Sequence, residues 1–177
     1  MKLIKTKFKG LFLCKKETYA DSRGYFRELF IENIIKKKFL FDVMSFSKNG
    51  VLRGLHFQTV NPQGKYISVL RGKVFDVVVD LRKRSKTFGK YYSIILSEKS
   101  NTSLFIPEGF AHGFCTLENN TIMLYKCTNY RNEKAETGLI WNDRDLKIKW
   151  PIKNPIISKK DKNAHSFKYI VSNNKTY

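Results

Sequence analysis

Apolar and polar residues alternate with a period of two through most of the chain. The clearest stretch runs from Lys65 to Arg82. Tyr66 to Leu70 forms one apolar run, Arg71-Gly72-Lys73 reads as a turn, and Val74 to Leu81 forms a second run. In that second run Asp76, Val78 and Asp80 share one face, and Phe75, Val77, Val79 and Leu81 share the other. The pattern predicts a strand with one dry side, its other side facing water or a polar cavity. Further strands are predicted at Tyr91 to Leu96, Ser103 to Ile106, Gly113 to Leu117 and Thr121 to Thr128. Glu118-Asn119-Asn120 reads as a hairpin tip between the last two. A helical period occurs only around Ile31 to Phe39. The C-terminal part mixes turns and aromatics, and Val171 to Tyr177 reads as a loose tail. Many short strands at regular spacing predict an all-β sandwich or barrel.

Composition narrows this picture. The 177 residues suit one domain with a sizeable core. The 42% hydrophobic and 14% aromatic content argues against intrinsic disorder. No apolar run is long enough to span a bilayer, and lysines interrupt every apolar run of the first ten residues, so neither a membrane span nor a signal peptide is expected. The formal charge of +19 raises the question of nucleic acid. Lysine is spread along the whole chain, however, with only short clusters at Lys36-Lys37-Lys38 and Lys159-Lys160. A solvated basic surface, or steering of a small anionic ligand, fits that spread better than binding to nucleic acid. Three cysteines, Cys14, Cys115 and Cys127, form no CxxC pair and read as buried thiols of a reducing, cytoplasmic compartment.

Four clusters could carry chemistry. In Gly50-Val-Leu-Arg-Gly-Leu-His-Phe-Gln58, Arg53 and His56 flank a glycine, and Lys65 follows across a turn. A base and an electrostatic clamp are one reading; spacing alone favours two surface charges and a satisfied core histidine. Ile106-Pro-Glu-Gly-Phe-Ala-His-Gly-Phe114 carries a P-x-G-x-x-H pattern similar to the second motif of the cupins. Only three histidines exist in the chain, too few for the usual cupin metal site, so no metal is expected. Tyr125 and Tyr130 lie on or just past a strand, as packing aromatics or as proton donors. Asp161 reads as a turn or cap residue unless it reaches His56, where it would fix the tautomer.

Together these segments resemble the dTDP-4-dehydrorhamnose 3,5-epimerase family. The match is carried by Asp21 to Glu28, Gly50 to Gln58, Gln63-Gly64-Lys65, Val74 to Arg82, Ser85 to Gly89 and Ile106 to Phe114. It continues through Tyr125 to Tyr130, Trp141-Asn142-Asp143, Trp150-Pro151 and Ser158 to Asp161, in family order from about residue 1 to 165. The resemblance implies a cupin-type double-sheet jelly roll over residues 1–170 with short peripheral helices. Residues 1–30 would form an arm exchanged with a partner in a homodimer. It implies His56 as general base paired with Asp161, Lys65 beside an enolate oxygen, and Tyr125 as acid on the opposite face. His112 and Asp76 would support the pocket, and Arg53 and Arg23 would hold a diphosphate. Tyr19, Phe26, Glu28, Ser45 and Tyr130 would lie near the nucleotide sugar. The implied activity is double epimerisation of dTDP-4-keto-6-deoxyglucose, on the route to dTDP-L-rhamnose and cell-surface glycan. It needs neither cofactor nor membrane.

One stretch departs from the family pattern. Where the family shows Gln-Asp-Asn-x-Ser, this chain has Phe41-Asp42-Val43-Met44-Ser45. Alternation puts 41, 43 and 45 on one face, toward the ligand in the family. Hydrocarbon in place of two amides removes two hydrogen-bonding partners. Epimerisation at one centre, or of another nucleotide-linked 4-keto sugar, is therefore an alternative. A non-catalytic sugar-nucleotide binder on the same fold is a second.

Overall fold

The computed structural model describes all residues, Met1–Tyr177. The N-terminal third contains β1 (Lys2–Lys5), β2 (Phe12–Lys15), β3 (Thr18–Asp21), β4 (Gly24–Arg27), α1 (Glu32–Ile35) and β5 (Phe41–Ser47). Then come β6 (Val51–Gln58), β7 (Lys65–Arg71), β8 (Lys73–Asp80) and β9 (Tyr91–Ser97). They are followed by β10 (Thr102–Ile106), β11 (Phe110–Thr116), β12 (Thr121–Cys127) and β13 (Glu136–Gly138). The chain ends with β14 (Ile156–Ile157), α2 (Lys159–Lys162) and α3 (Phe167–Ser172). No helix is long and apolar enough to cross a membrane.

The strands form two large sheets, ordered β1-β2-β10-β7-β12-β5 and β13-β6-β11-β8-β9. Pairing within them is antiparallel, and β14 adds to β6 in parallel. The main core lies between the sheets. Ile67, Val69, Leu104 and Met123 of the first meet Val74, Val78, Leu96, Phe110 and Phe114 of the second. A second core covers the outer face of the second sheet, where Leu55, Phe57, Val77 and Val79 pack under Leu139, Leu146 and Ile170. Strand β8 is therefore buried on both sides. The face that carries Asp76 and Asp80 turns into the protein, and each carboxylate has polar partners there.

Three expectations change on the structure. Glu118-Asn119-Asn120 does not close a hairpin: β11 belongs to the second sheet and β12 to the first, so this turn carries the chain between layers. Turn residues mark a reversal, not which strands pair. The turn at Gly72 crosses in the same way between β7 and β8; Gly72 has φ +81°, and a Cβ there would lie 2.5 Å from Thr121 Oγ1. The helix expected over Ile31 to Phe39 shrinks to Glu32–Ile35, stopped by Lys36 in the left-handed region. It lacks a side-chain N-cap, two of its four residues are β-branched isoleucines, and Phe39, beyond its end, packs on Tyr66 and Phe105. The C-terminus is not a loose tail. The Tyr177 N–H donates to the Leu81 carbonyl (2.9 Å), the Lys83 N–H to the Tyr177 carbonyl (2.6 Å), and the Tyr177 hydroxyl to the Gln58 carbonyl. Its ring meets Phe57, which gives the segment an apolar anchor. Within residues 1–30, β1 and β2 pair into the chain's own first sheet, whereas β3 and β4 pair only with each other.

Candidate active site

A cleft of about 650 Å³ opens between the two sheets, beside β5 and β6. Strand alternation decides what it contains. Phe41, Val43 and Ser45 project inward from β5, beside Tyr125 and Cys127 of β12, with Val43 paired to Tyr125 and Phe41 to Cys127. Lys65 enters from the start of β7, paired with Cys127. Arg53 and His56 of β6 and His112 of β11 form the facing wall, with His56 opposite His112.

His56 Nε2 lies 2.6 Å from Asp161 Oδ1. Asp161 is buried at the start of α2, where the Ser158 side chain accepts from the Asp161 N–H. Its second oxygen accepts from the Gly54 N–H at 3.3 Å. That contact depends on the glycine, because a Cβ at Gly54 would fall 2.6 Å from Gly113 Cα and from the His112 carbonyl oxygen. Burial pushes the Asp161 carboxyl up, but the His56 hydrogen bond and charge, with the Gly54 and Ser158 contacts, outweigh it and hold the group below the usual carboxylate value. Asp161 thus stays ionised and aligns the imidazole.

Lys65 is half-buried, has no carboxylate within ion-pair distance, and has its pKa lowered by burial. It is a cation in search of an anion. The Tyr125 hydroxyl lies 3.1 Å from Ser45 Oγ. Burial pushes its pKa well above the ordinary phenol value, against a smaller lowering by Ser45, so it remains a proton donor. Asp76 and His112 form a buried pair at 2.8 Å, and the other Asp76 oxygen has no partner. No three His, Cys, Asp or Glu side chains converge as a metal centre requires.

The remaining expected residues lie at the margins. Arg53 donates to Ser47 Oγ (3.1 Å) and to the Phe46 carbonyl (3.2 Å), which fixes its guanidinium at one end of the cleft. Tyr130 is 66% exposed at the mouth and stacks on Phe41, with ring centroids 5.8 Å apart. Tyr19, Arg23 and Phe26 sit on the β3–β4 hairpin and Glu28 just beyond it, outside the cleft. Arg23 pairs only with Asp21. Sequence reading missed Gln63, Arg131, Glu136 and Lys160 as lining residues. Glu136 lies on a three-residue strand with no hydrophobic alternation; only its pairing opposite Gln58 of β6 brings it to the cleft. Lys160 was legible as the neighbour of Asp161.

Chemically, the cleft sets a carboxylate-bonded imidazole on one sheet against a phenol and a lone ammonium on the other. That arrangement can take a proton from one face of a bound molecule, hold the resulting oxyanion, and return a proton to the other face.

A sequence model of the dTDP-4-dehydrorhamnose 3,5-epimerases matches residues 5–169. An enzyme of that name from Methanothermobacter thermautotrophicus is 45% identical over 170 residues, covering 92% of each chain. The crystal structure of the Elizabethkingia anophelis dTDP-4-dehydrorhamnose 3,5-epimerase is similar with a TM-score of 0.89 at 41% identity, covering 100% of this chain and 99% of that one. The dTDP-6-deoxy-D-glucose-3,5-epimerase of Legionella pneumophila, solved in complex with dTDP-4-keto-L-rhamnose, gives a TM-score of 0.92 at 38% identity, covering 97% of this chain and 95% of that one.

Proposed function

The chain belongs to the dTDP-4-dehydrorhamnose 3,5-epimerase family, and we propose that its cleft epimerises carbons 3 and 5 of dTDP-4-keto-6-deoxyglucose through an enolate. The ketone at carbon 4 acidifies the hydrogens at both carbons. His56 takes one as a proton, and the electron pair moves onto the ketone oxygen. The Lys65 ammonium stabilises that oxyanion. Tyr125 then delivers its proton to the opposite face of the carbon, which inverts the centre; the imidazolium afterwards gives its proton to solvent and the Tyr125 oxygen takes one back through Ser45 or water, which resets both groups for the second carbon. Asp161 stabilises the imidazolium between the two transfers. No electrons leave the sugar, so no redox cofactor takes part. The observation that carries this reading is the His56–Asp161 pair at 2.6 Å facing Tyr125 and Lys65 from the other sheet.

Arg53 takes the diphosphate. Arg23, Tyr19, Phe26 and Glu28 serve the cleft of a second copy, in a homodimer that exchanges the β3–β4 hairpin. The hairpin supports this: it pairs with no other strand of its own chain, and Tyr19, Tyr25 and Phe26 are all more than half exposed. The two-sheet frame is read as a cupin-type jelly roll. Three buried free thiols suit a reducing cytoplasm, where the nucleotide sugar is made.

Proton NMR with dTDP-4-keto-6-deoxyglucose in deuterated water tests the reading. Deuterium is expected at both carbon 3 and carbon 5. Phe41 and Val43 favour a second reading, in which the apolar wall suits one centre or a different nucleotide-linked keto sugar; deuterium at a single carbon would support it. No exchange from folded protein would point to a binding role.

A further inference from the structure

Gln58 ends β6 on the same face as His56, because strand alternation brings residues two apart to one side. It is only 2% exposed, and its amide is fully engaged. Nε2 donates to the Asn61 carbonyl (2.8 Å) and to the Tyr130 carbonyl (3.3 Å), and Oε1 accepts from the Asn132 N–H (2.9 Å). One side chain thus grips the main chain on both sides of Arg131. Gln58 is itself firmly held. Its main chain pairs with Glu136 of β13, and its carbonyl accepts from the Tyr177 hydroxyl.

The segment that it grips has few other ties. Main-chain bonds fix the two ends, Thr128 to Gly64 and Ala135 to Thr59, but none joins residues 129–134 to another part of the chain. Asn129 is held by side chains, its carbonyl accepting from Gln63 Nε2 (2.7 Å) and its own Nδ2 donating to the Pro62 carbonyl (2.8 Å). From Tyr130 to Asn132, Gln58 alone bonds the main chain to β6. This stretch carries Tyr130, stacked on Phe41 at the mouth, and Arg131, which lines the cleft.

We propose that Gln58 is a positioning residue, whose amide pins the mouth segment and so sets the wall that Tyr130 and Arg131 present to an incoming nucleotide sugar. Without the pin, the middle of the segment is free while both ends stay fixed, and binding must order it. The segment holds none of the proton-transfer groups, so the effect falls on binding and spares the chemical step.

The inference rests on the reading of the cleft as a nucleotide-sugar site, and the experiment keeps the two apart. Wild-type protein is first assayed with dTDP-4-keto-6-deoxyglucose; failure to turn over sinks that reading, and the pin is then judged on hydrogen exchange. In the wild type the Asn132 amide should exchange at least about tenfold more slowly than those of Glu133 and Lys134, which have no acceptor. Gln58→Met should abolish that protection while the far-ultraviolet circular dichroism stays native. Gln58→Glu keeps the shape but sets an anion against the Asn61 and Tyr130 carbonyls. In the active enzyme each variant raises KM about tenfold with kcat within about twofold, and calorimetry shows dTDP alone bound correspondingly more weakly. Three results would overturn the proposal. One is an Asn132 amide that exchanges as fast as its neighbours in the wild type. Another is a lowered kcat at unchanged KM, which would make Gln58 a support for His56 along β6. The third is KM and kcat both unchanged in both variants. If neither variant folds, the exchange of the wild-type Asn132 amide decides.

Discussion

Lys65 holds a full positive charge where the surroundings do little to support it. Burial lowers its pKa, and the opposing effects of Cys127, Glu136 and Asp76 are smaller. The direction has a kinetic consequence. The ammonium must be protonated to stabilise an oxyanion, so activity should fall on the alkaline side at a pH below the ordinary lysine value of 10.5. Lys65→Met is expected to lower kcat on the order of 10²- to 10³-fold while the protein stays folded. It should also remove that alkaline limb, which a pH series on both proteins would check. Lys65→Arg should not restore the rate, because a planar guanidinium needs more room than the half-buried site gives. At this scale the sequence was unevenly legible. Spacing alone gave His56 and Lys65 no better than bland readings, since nothing local shows that β6 and β7 end in different sheets with their side chains converging. The resemblance brought the set together because it carries the fold with it. Glu136 escaped both routes: only its cross-strand register opposite Gln58 brings it to the cleft.

Elements were legible where one face is uniformly apolar, and misread where burial comes from elsewhere. Strand β8 announced itself by alternation, yet its Asp76–Asp80 face proved buried as well, between the sheets, while its apolar face lies under α3 and the C-terminal residues. The same cover explains the error at the end of the chain. Val171 to Tyr177 looks polar and short, and nothing in it signals that Tyr177 reaches back to Leu81, Lys83 and Gln58. Burial pushes the Tyr177 phenol well above its ordinary pKa, which leaves it a donor to the Gln58 carbonyl at any working pH. Deleting residues 173–177 should therefore cost about 2–4 kcal/mol, since it uncovers Phe57 and Leu81 and removes, among others, the three hydrogen bonds of Tyr177. Thermal unfolding should show the midpoint falling by roughly 5–15 °C. A shift of under 2 °C would mean that the segment is ornamental. The helix at Ile31 shows the converse: an apolar period without a cap or good helix formers collapses once Phe30 and Phe39 find Tyr66.

At the scale of the whole molecule, the β3–β4 hairpin and the outer edge of β5 are what the single chain leaves unfinished. Met44 and Phe46 on β5 are 63% and 53% exposed, and β5 is the last strand of its sheet. If the hairpin serves a second copy, defects placed on it and in the cleft should complement each other. Arg23→Ala and His56→Ala, each nearly inactive alone, should on co-refolding recover about a quarter of wild-type activity, because half of the dimers carry one intact site of two. No recovery from a mixed dimer, shown by native mass spectrometry, would keep each hairpin at its own cleft. The three thiols supply a further consequence, for timing motions. All are buried, and burial raises the pKa of each, Cys14 to about 12 and Cys115 to about 11. They sit under different covers: Cys127 at the cleft beside Lys65, Cys14 on β2 near the outer edge of the first sheet, and Cys115 in the middle of the second. A thiol reagent added to the native protein thus reads three clocks. Cys127 marks breathing of the cleft and slows when nucleotide sugar fills it, Cys14 marks peeling of β1 and β2, and Cys115 reacts only as fast as the whole molecule opens.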